Sequence, residues 1–264
     1  MTMKKPLIIL CAGVALAACA TSPLGRNQFL LMPADQMDEM GATAYAQMKQ
    51  ETPVSSSQQQ TAYVRCVATA ITSTLDGSQQ WEVNLFQDNS ANAFALPGGK
   101  IGVNTGLLKV ATNQSQLATV IGHEIGHVTA RHGVRQQSAA QAANFGYTLG
   151  AILLPELRGA GSQNLFNILG GALLSGYGRE HELESDRLGA EYLAKAGYTP
   201  KAMIDVISVL KDQATFAEAE AKKQGRDYQG YHGLFASHPD NDTRLQQVVG
   251  EANKYAQASN GAIK

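Results

Sequence analysis

Cysteine is scarce in this chain. Cys11, Cys19 and Cys66 are the three present, and their positions leave no pair for a disulfide within the exported protein. A basic block is missing as well: 21 Lys and Arg face 22 Asp and Glu, a formal net charge of −1, with no cluster of cations anywhere. That excludes a nucleic-acid partner, which needs such a cluster to neutralise phosphates. No internal repeat is visible, so a solenoid is excluded. No apolar run reaches the ~20 residues of a membrane-crossing helix. The longest candidate, within Gln136 to Gly178, is interrupted by Pro155-Glu156 and by Gly159-Ala160-Gly161. What remains is an ordinary globular composition, 44% apolar and 16% charged, in a chain long enough to bury one sizeable core.

The N-terminus has the pattern of an export signal over residues 1–18. Lys4 and Lys5 form a positive n-region, and Leu7 to Ala18 an apolar stretch too short to span a bilayer. Leu16-Ala17-Ala18-Cys19 resembles the lipobox of bacterial lipoproteins. The resemblance implies cleavage before Cys19 and acylation of that cysteine, with more than one chain giving a stable anchor. Ala20, standing where Asp would signal retention, implies the periplasmic side of the outer membrane. Membrane contact is thus expected through lipid alone. Cys66, in the helical stretch Tyr63 to Ala68, is expected to act as a small buried apolar residue; an intermolecular bridge is the alternative.

Ser22, Pro23, Gly25 and Pro33 mark residues 19–33 as a tether, followed by one domain over 34–257 and a disordered tail over 258–264. Asp35 to Gln50 reads as a helix with Asp35 as cap, and a second helix runs from Gln60 to about Leu75. Between Trp81 and Gly106 the period changes to alternation. Trp81, Val83 and Leu85 predict a half-buried strand with Glu82 and Asn84 outward. Asn92 to Leu96 predicts another strand, stopped by Pro97-Gly98-Gly99, with Lys100 to Asn104 as its hairpin partner. After Thr105 the pattern is helical nearly to the end. Gln136 to Gly178 carries charge only at Glu156 and Arg158. It reads as two packed helices around Pro155, or else as a lid or a membrane-touching surface.

The chemistry lies in Asn113 to His127. Asn113 followed by Gln116 resembles a capping box, so a helix starts there. His123 and His127 then lie one turn apart on one face, where two imidazoles can hold one zinc ion with Glu124 beside it as general base. Gly122, Gly126 and Ala130 are small and admit another element close to that face. A catalytic zinc usually takes three protein ligands. Arg179 to Asp186 offers four carboxylates, which helical spacing sorts into two stripes. Glu180, Glu184, Arg187, Glu191 and Lys195 form a charged, solvated stripe. Glu182, Asp186, Gly189 and Leu193 form an inward one. Carboxylates there are costly unless paired or metal-bound, so Glu182 is the candidate third ligand and Asp186 is placed to orient a ligand histidine. His132, His181 and His232 read as structural or solvent-facing.

The pairing of His123-Glu124-Ile125-Gly126-His127 with Glu182-Leu183-Glu184-Ser185-Asp186 resembles the gluzincin family that includes HtpX, BepA, LoiP and the CAAX prenyl proteases. The similarity extends to Asn92 through Gly99 and to Ser237-His238-Pro239 with Arg244, covering roughly Asp35 to Val249. Lacking membrane-spanning helices, the chain is similar to the periplasmic branch, although the additional cysteines of LoiP-like members are missing. The resemblance implies an α+β, mainly α-helical zincin-like domain with a small antiparallel sheet beside the active-site helix. It implies one zinc ion per chain, held by His123, His127 and Glu182, with Asp186 behind them. His238 is implied either as oxyanion donor or as a latch in the fourth metal position, and Arg244 as holding the His238 loop or a substrate carbonyl. Substrate is expected as an extended strand against Asn92, Ala93, Phe94 and Ala95. The implied activity is hydrolysis of unfolded or misassembled envelope proteins. A lipoprotein that assists outer-membrane assembly and cleaves little is the alternative, and an aminopeptidase is a further one.

Overall fold

The computed structural model describes residues 19–77, 79–139, 178–224 and 242–260. Chain order is β1 (Cys19–Thr21), β2 (Asn27–Phe29), α1 (Ala34–Glu51), α2 (Gln58–Thr72), β3 (Glu82–Phe86), β4 (Ala93–Leu96), β5 (Lys100–Asn104) and a 3-10 helix (Thr105–Lys109). Then come α3 (Gln114–Thr129), α4 (Arg179–Lys195), α5 (Ala202–Lys223) and α6 (Asp242–Asn260). The domain is α+β and mainly helical, as expected. Among the described residues, no helix is long and apolar enough to cross a membrane.

Helix α3 runs through the middle of the core, with every residue from Leu117 to His127 buried. A helix enclosed on all sides needs its end satisfied locally, and Asn113 does so by accepting from the Gln116 amide at 3.0 Å. The return bond of the capping box is displaced by one residue: Gln116 Oε1 accepts from the Thr112 amide at 2.8 Å. Across from α3 lies α4, and small residues set their separation. A Cβ on Gly126 would lie 2.9 Å from the Ser185 carbonyl oxygen, and one on Gly189 would lie 3.2 Å from the His123 nitrogen. The close approach expected at Gly122 and Gly126 is therefore made by α4, the helix that carries the acidic cluster.

The sheet departs from expectation in one respect. β4 and β5 form the foreseen antiparallel hairpin, with Ala93 opposite Val103 and Leu96 opposite Lys100. Gly98 and Gly99 turn it at φ of 76° and 70°, which side-chain-bearing residues rarely adopt. β3, however, lies parallel to β5 on its other side, so the three-stranded sheet is mixed and its order is β3-β5-β4. Alternation of side chains marks faces, not neighbours, and ion pairs of Glu82 with Lys100 and Lys49 hold β3 in that register. Asn84 is buried, not outward, and accepts from the Arg65 guanidinium at 3.2 Å.

Four local expectations are corrected. Helix α1 is preceded by Pro33 without a side-chain cap, and Asp35 sits in its first turn, where a negative charge suits the dipole. Cys66 is exposed: Val64, Val67, Ala68 and Ile71 occupy the inward stripe of α2, and Cys66 falls outside that arc. Residues 19–33 are not a plain tether, because β1 and β2 pair as a hairpin and bury Ser22 and Gln28 against the domain. Finally, α6 continues to Asn260, into the stretch expected as tail. The helix pair around Pro155, His232 and the Ser237-His238-Pro239 element lie outside the described residues.

Candidate metal centre

His123 and His127 project from α3 on the same side, buried, with ring centroids 4.7 Å apart. Their Nε2 atoms are 3.0 Å from one another. Glu182 enters from the first turn of α4 and places Oε2 3.5 Å from His123 Nε2 and Oε1 3.3 Å from His127 Nε2. Among the described residues, these three form the group whose ligand atoms converge within 4.8 Å of one another. Glu124, next to His123 on α3, is buried beside them.

The far side of each imidazole is occupied. His123 Nδ1 lies 2.8 Å from Asp186 Oδ1. Burial pulls the Asp186 carboxyl up, but Arg244 and His123 outweigh it and hold it below its ordinary value, so it stays ionised and accepts. Arg244, from α6, grips the same carboxylate through Nε at 2.7 Å and a terminal nitrogen at 2.9 Å, and reaches Glu182 Oε2 at 2.9 Å. It thus ties α6 to both carboxylates of α4 from a buried position. Burial depresses the His123 imidazole, yet Asp186 and Glu182 together raise it to about 9. The pocket favours positive charge at that point.

His127 Nδ1 meets a partner that neither stripe foretold: His132 Nδ1, at 2.8 Å. His132 Nε2 in turn lies 3.1 Å from Glu184 Oε2. Glu184, assigned above to the solvated stripe, is buried and bonded to Ser22 and Arg26 of the N-terminal hairpin as well as to His132. The correction has a plain cause. Helical spacing does place Glu184 away from Glu182, but the hairpin covers Glu184, while of the other stripe members Glu180, Arg187 and Lys195 stay in solvent and Glu191 is half-buried. His132 was expected to be structural, and its contact with His127 depends on Arg131, the one non-glycine described residue at positive φ, 56°. A sequence offers no sign of that turn. Burial drives the His132 imidazole down to about 4 despite Glu184, and it is neutral at pH 7.

These contacts decide where the protons sit. Ionised Asp186 takes Nδ1–H from His123. Glu184 takes Nε2–H from His132, leaving its Nδ1 lone pair to accept Nδ1–H from His127. A cation taking the place of the second proton that the two carboxylates favour on His123 would meet Nε2 lone pairs of both histidines, turned toward each other and toward Glu182. Two buried carboxyl groups, Glu182 and Asp186, share the one guanidinium of Arg244, and a third, Glu124, is buried next to His123 on α3. Converging lone pairs and excess negative charge fit a divalent cation, and two nitrogens with one oxygen is a donor set zinc accepts.

Beside the centre, β4 is the outer strand of its sheet, with Ala93 and Ala95 buried and Asn92 and Phe94 half-buried. A cleft of about 120 Å3 touches Ala95, Pro97 and His127, and is otherwise lined by Met32, Met37 and Val134 among others. The expected substrate strand and the metal centre are therefore neighbours.

Fold and centre together define a zincin-like metallopeptidase domain: an interior helix carrying the His-x-x-x-His pair, crossed by a second helix carrying an acid. Comparison with known proteins gives the family. The profile described as peptidase family M48 matches residues 57–252, and the chain belongs to that family. Among its relatives, the beta-barrel assembly-enhancing protease of Yersinia pestis is 28% identical over 242 residues, 88% of this chain and 47% of the relative. The protein of that name from Escherichia coli K12 is 32% identical over 180 residues, 64% of this chain and 34% of the relative. The mitochondrial metalloendopeptidase OMA1 of Arabidopsis thaliana is 37% identical over 135 residues, 51% of this chain and 26% of the relative. The chain spans half the length of these relatives or less.

Proposed function

We propose that this protein is a zinc-dependent endopeptidase acting on unfolded or misassembled polypeptides of the bacterial envelope. The carrying observation is the meeting of His123, His127 and Glu182, each histidine turned by an acceptor behind it. Zinc in this position supplies a Lewis acid for the scissile carbonyl and brings the pKa of a water toward ~7. Glu124 takes the water proton and returns it to the departing amine. Asp186 and Arg244 hold His123 and Glu182 in place. An extended peptide adds to the outer edge of β4 along Asn92 to Ala95, so that main-chain bonds give affinity with little demand on sequence. His238 serves as oxyanion donor or as a latch; activity lost or gained in His238→Ala separates these roles.

The lipobox supports anchoring at Cys19 on the periplasmic side of the outer membrane, with residues 1–18 removed. The name of the bacterial relatives, beta-barrel assembly-enhancing protease, supports a part in β-barrel assembly, and with it the second reading, an outer-membrane assembly factor or chaperone with latent or minor proteolysis. One experiment separates the readings. Zinc-loaded wild type and Glu124→Gln are compared on a casein-type substrate, with products sized by mass spectrometry. Internal fragments from wild type, and a loss of at least 100-fold in Glu124→Gln with zinc retained, are expected. Equal activity of the two proteins refutes the peptidase assignment, and release of single residues replaces it with an aminopeptidase.

A further inference from the structure

An imidazole carries one proton when neutral, so a histidine that offers Nε2 to a metal must park its proton on Nδ1, against an acceptor. For His123 the acceptor is a carboxylate in direct contact, Asp186. For His127 it is another imidazole, His132, which can accept at Nδ1 only while its own proton lies on Nε2. Glu184 enforces that arrangement from 3.1 Å. Glu184 is in turn held by two donors from a distant part of the chain, the Ser22 hydroxyl and the Arg26 guanidinium.

We propose that Ser22 and Arg26 of the N-terminal hairpin are positioning residues for the metal centre, acting through Glu184 and His132 to fix the orientation and tautomer of His127. The proposal rests on the metallopeptidase assignment and deepens it. Three further observations support a device built for position. The hairpin turn is closed on itself, with the Ser22 amide donating to the Arg26 carbonyl at 2.8 Å and the Arg26 amide to Ser22 Oγ at 3.2 Å, so the two donors move together. Arg26 also reaches Glu180, one turn before Glu184 on α4, at 3.3 Å. The His132 ring is clamped edge-on by His127 at 4.9 Å and face-on by His181 at 4.5 Å, which leaves it little freedom to turn. The family profile begins at residue 57, so the hairpin lies outside the region it matches.

The test uses the full chain, with zinc affinity read by competition with a chromophoric chelator and ligand geometry read from the visible bands of the cobalt-substituted protein. His132→Phe keeps the ring packing and removes both nitrogens; a loss of about 10–100-fold in zinc affinity is expected. His132→Asn places an amide oxygen near the former Nδ1 and should recover most of that loss. The double variant Ser22→Ala with Arg26→Ala, remote from the metal, should weaken zinc binding several-fold and shift the cobalt bands, and Arg26→Lys should restore part. A folded double variant with wild-type zinc affinity and wild-type cobalt bands overturns the proposal. It decides alone if His132→Phe does not fold, because Arg26 is partly exposed and its loss spares the core. Failure of wild type itself to bind zinc instead brings down the metallopeptidase assignment.

Discussion

Replacing Gly126 with alanine sets two opposed effects against each other at the crossing of α3 and α4. In a helix interior the exchange gains about 1 kcal/mol from reduced backbone freedom. Against that, the new Cβ would stand 2.6 Å from Ser185 Oγ, 2.9 Å from the Ser185 carbonyl oxygen and 3.1 Å from its Cα. The hydroxyl cannot simply swing aside, because it donates to the His123 carbonyl. The other two atoms are backbone of α4, so the helices must part. Overpacking of this kind costs about 1–3 kcal/mol. The balance is a loss of up to about 2 kcal/mol, or roughly 2–4 °C in Tm for each kcal/mol in a domain of this size. Gly122 provides the control on the same helix. A Cβ there meets a leucine methyl, Leu193 Cδ1, at 2.8 Å, and everything else lies at 3.5 Å or beyond. A methyl can rotate away, so Gly122→Ala should be neutral or slightly stabilising. Parting the helices at Gly126 also draws His127 away from Glu182, so zinc affinity should fall in Gly126→Ala and hold in Gly122→Ala. Thermal unfolding by circular dichroism, with and without zinc, and chelator competition provide the two readouts. A Gly126→Ala protein as stable as wild type with undiminished zinc affinity, or a Gly122→Ala protein worse than Gly126→Ala, refutes the reasoning.

Two further perturbations test the frame around the centre. Arg244→Ala leaves Asp186 and Glu182 buried without their guanidinium and should cost about 3–5 kcal/mol in zinc-free protein by urea denaturation. Zinc should narrow the gap, and an unchanged midpoint contradicts the assigned role. Tyr45 donates to the Ile101 carbonyl, and burial pushes its phenol from 10.0 up to about 12. Between those values the unfolded chain has released a proton that the folded one keeps, so stability falls as pH rises through the window, by about 2–3 kcal/mol. Tyr45→Phe should lose that slope in alkaline unfolding curves while costing about 1 kcal/mol at neutral pH for the missing bond. A Tyr45→Phe protein with the same alkaline midpoint as wild type rules the explanation out.

What was legible in the sequence was what repeats over a few residues. His123 and His127 share a face because an α-helix turns every 3.6 residues, and Asn113 caps that helix through a bond three residues long. The inward stripe of Glu182, Asp186, Gly189 and Leu193 was readable for the same reason, and all four are buried. The hairpin of β4 and β5 followed from its two glycines. Tertiary structure alone decided the rest. The parallel placement of β3, the outward turn of Cys66 and the burial of Asn84 depend on which neighbour arrives, and periodicity does not encode neighbours. Glu184 shows the difference most clearly. By spacing it belongs with the solvated charges, yet a hairpin some 160 residues away, Ser22 to Arg26, covers it and joins it to His132 and the centre. Contacts across such separations are selected by packing of the whole chain, and a local pattern carries no record of them.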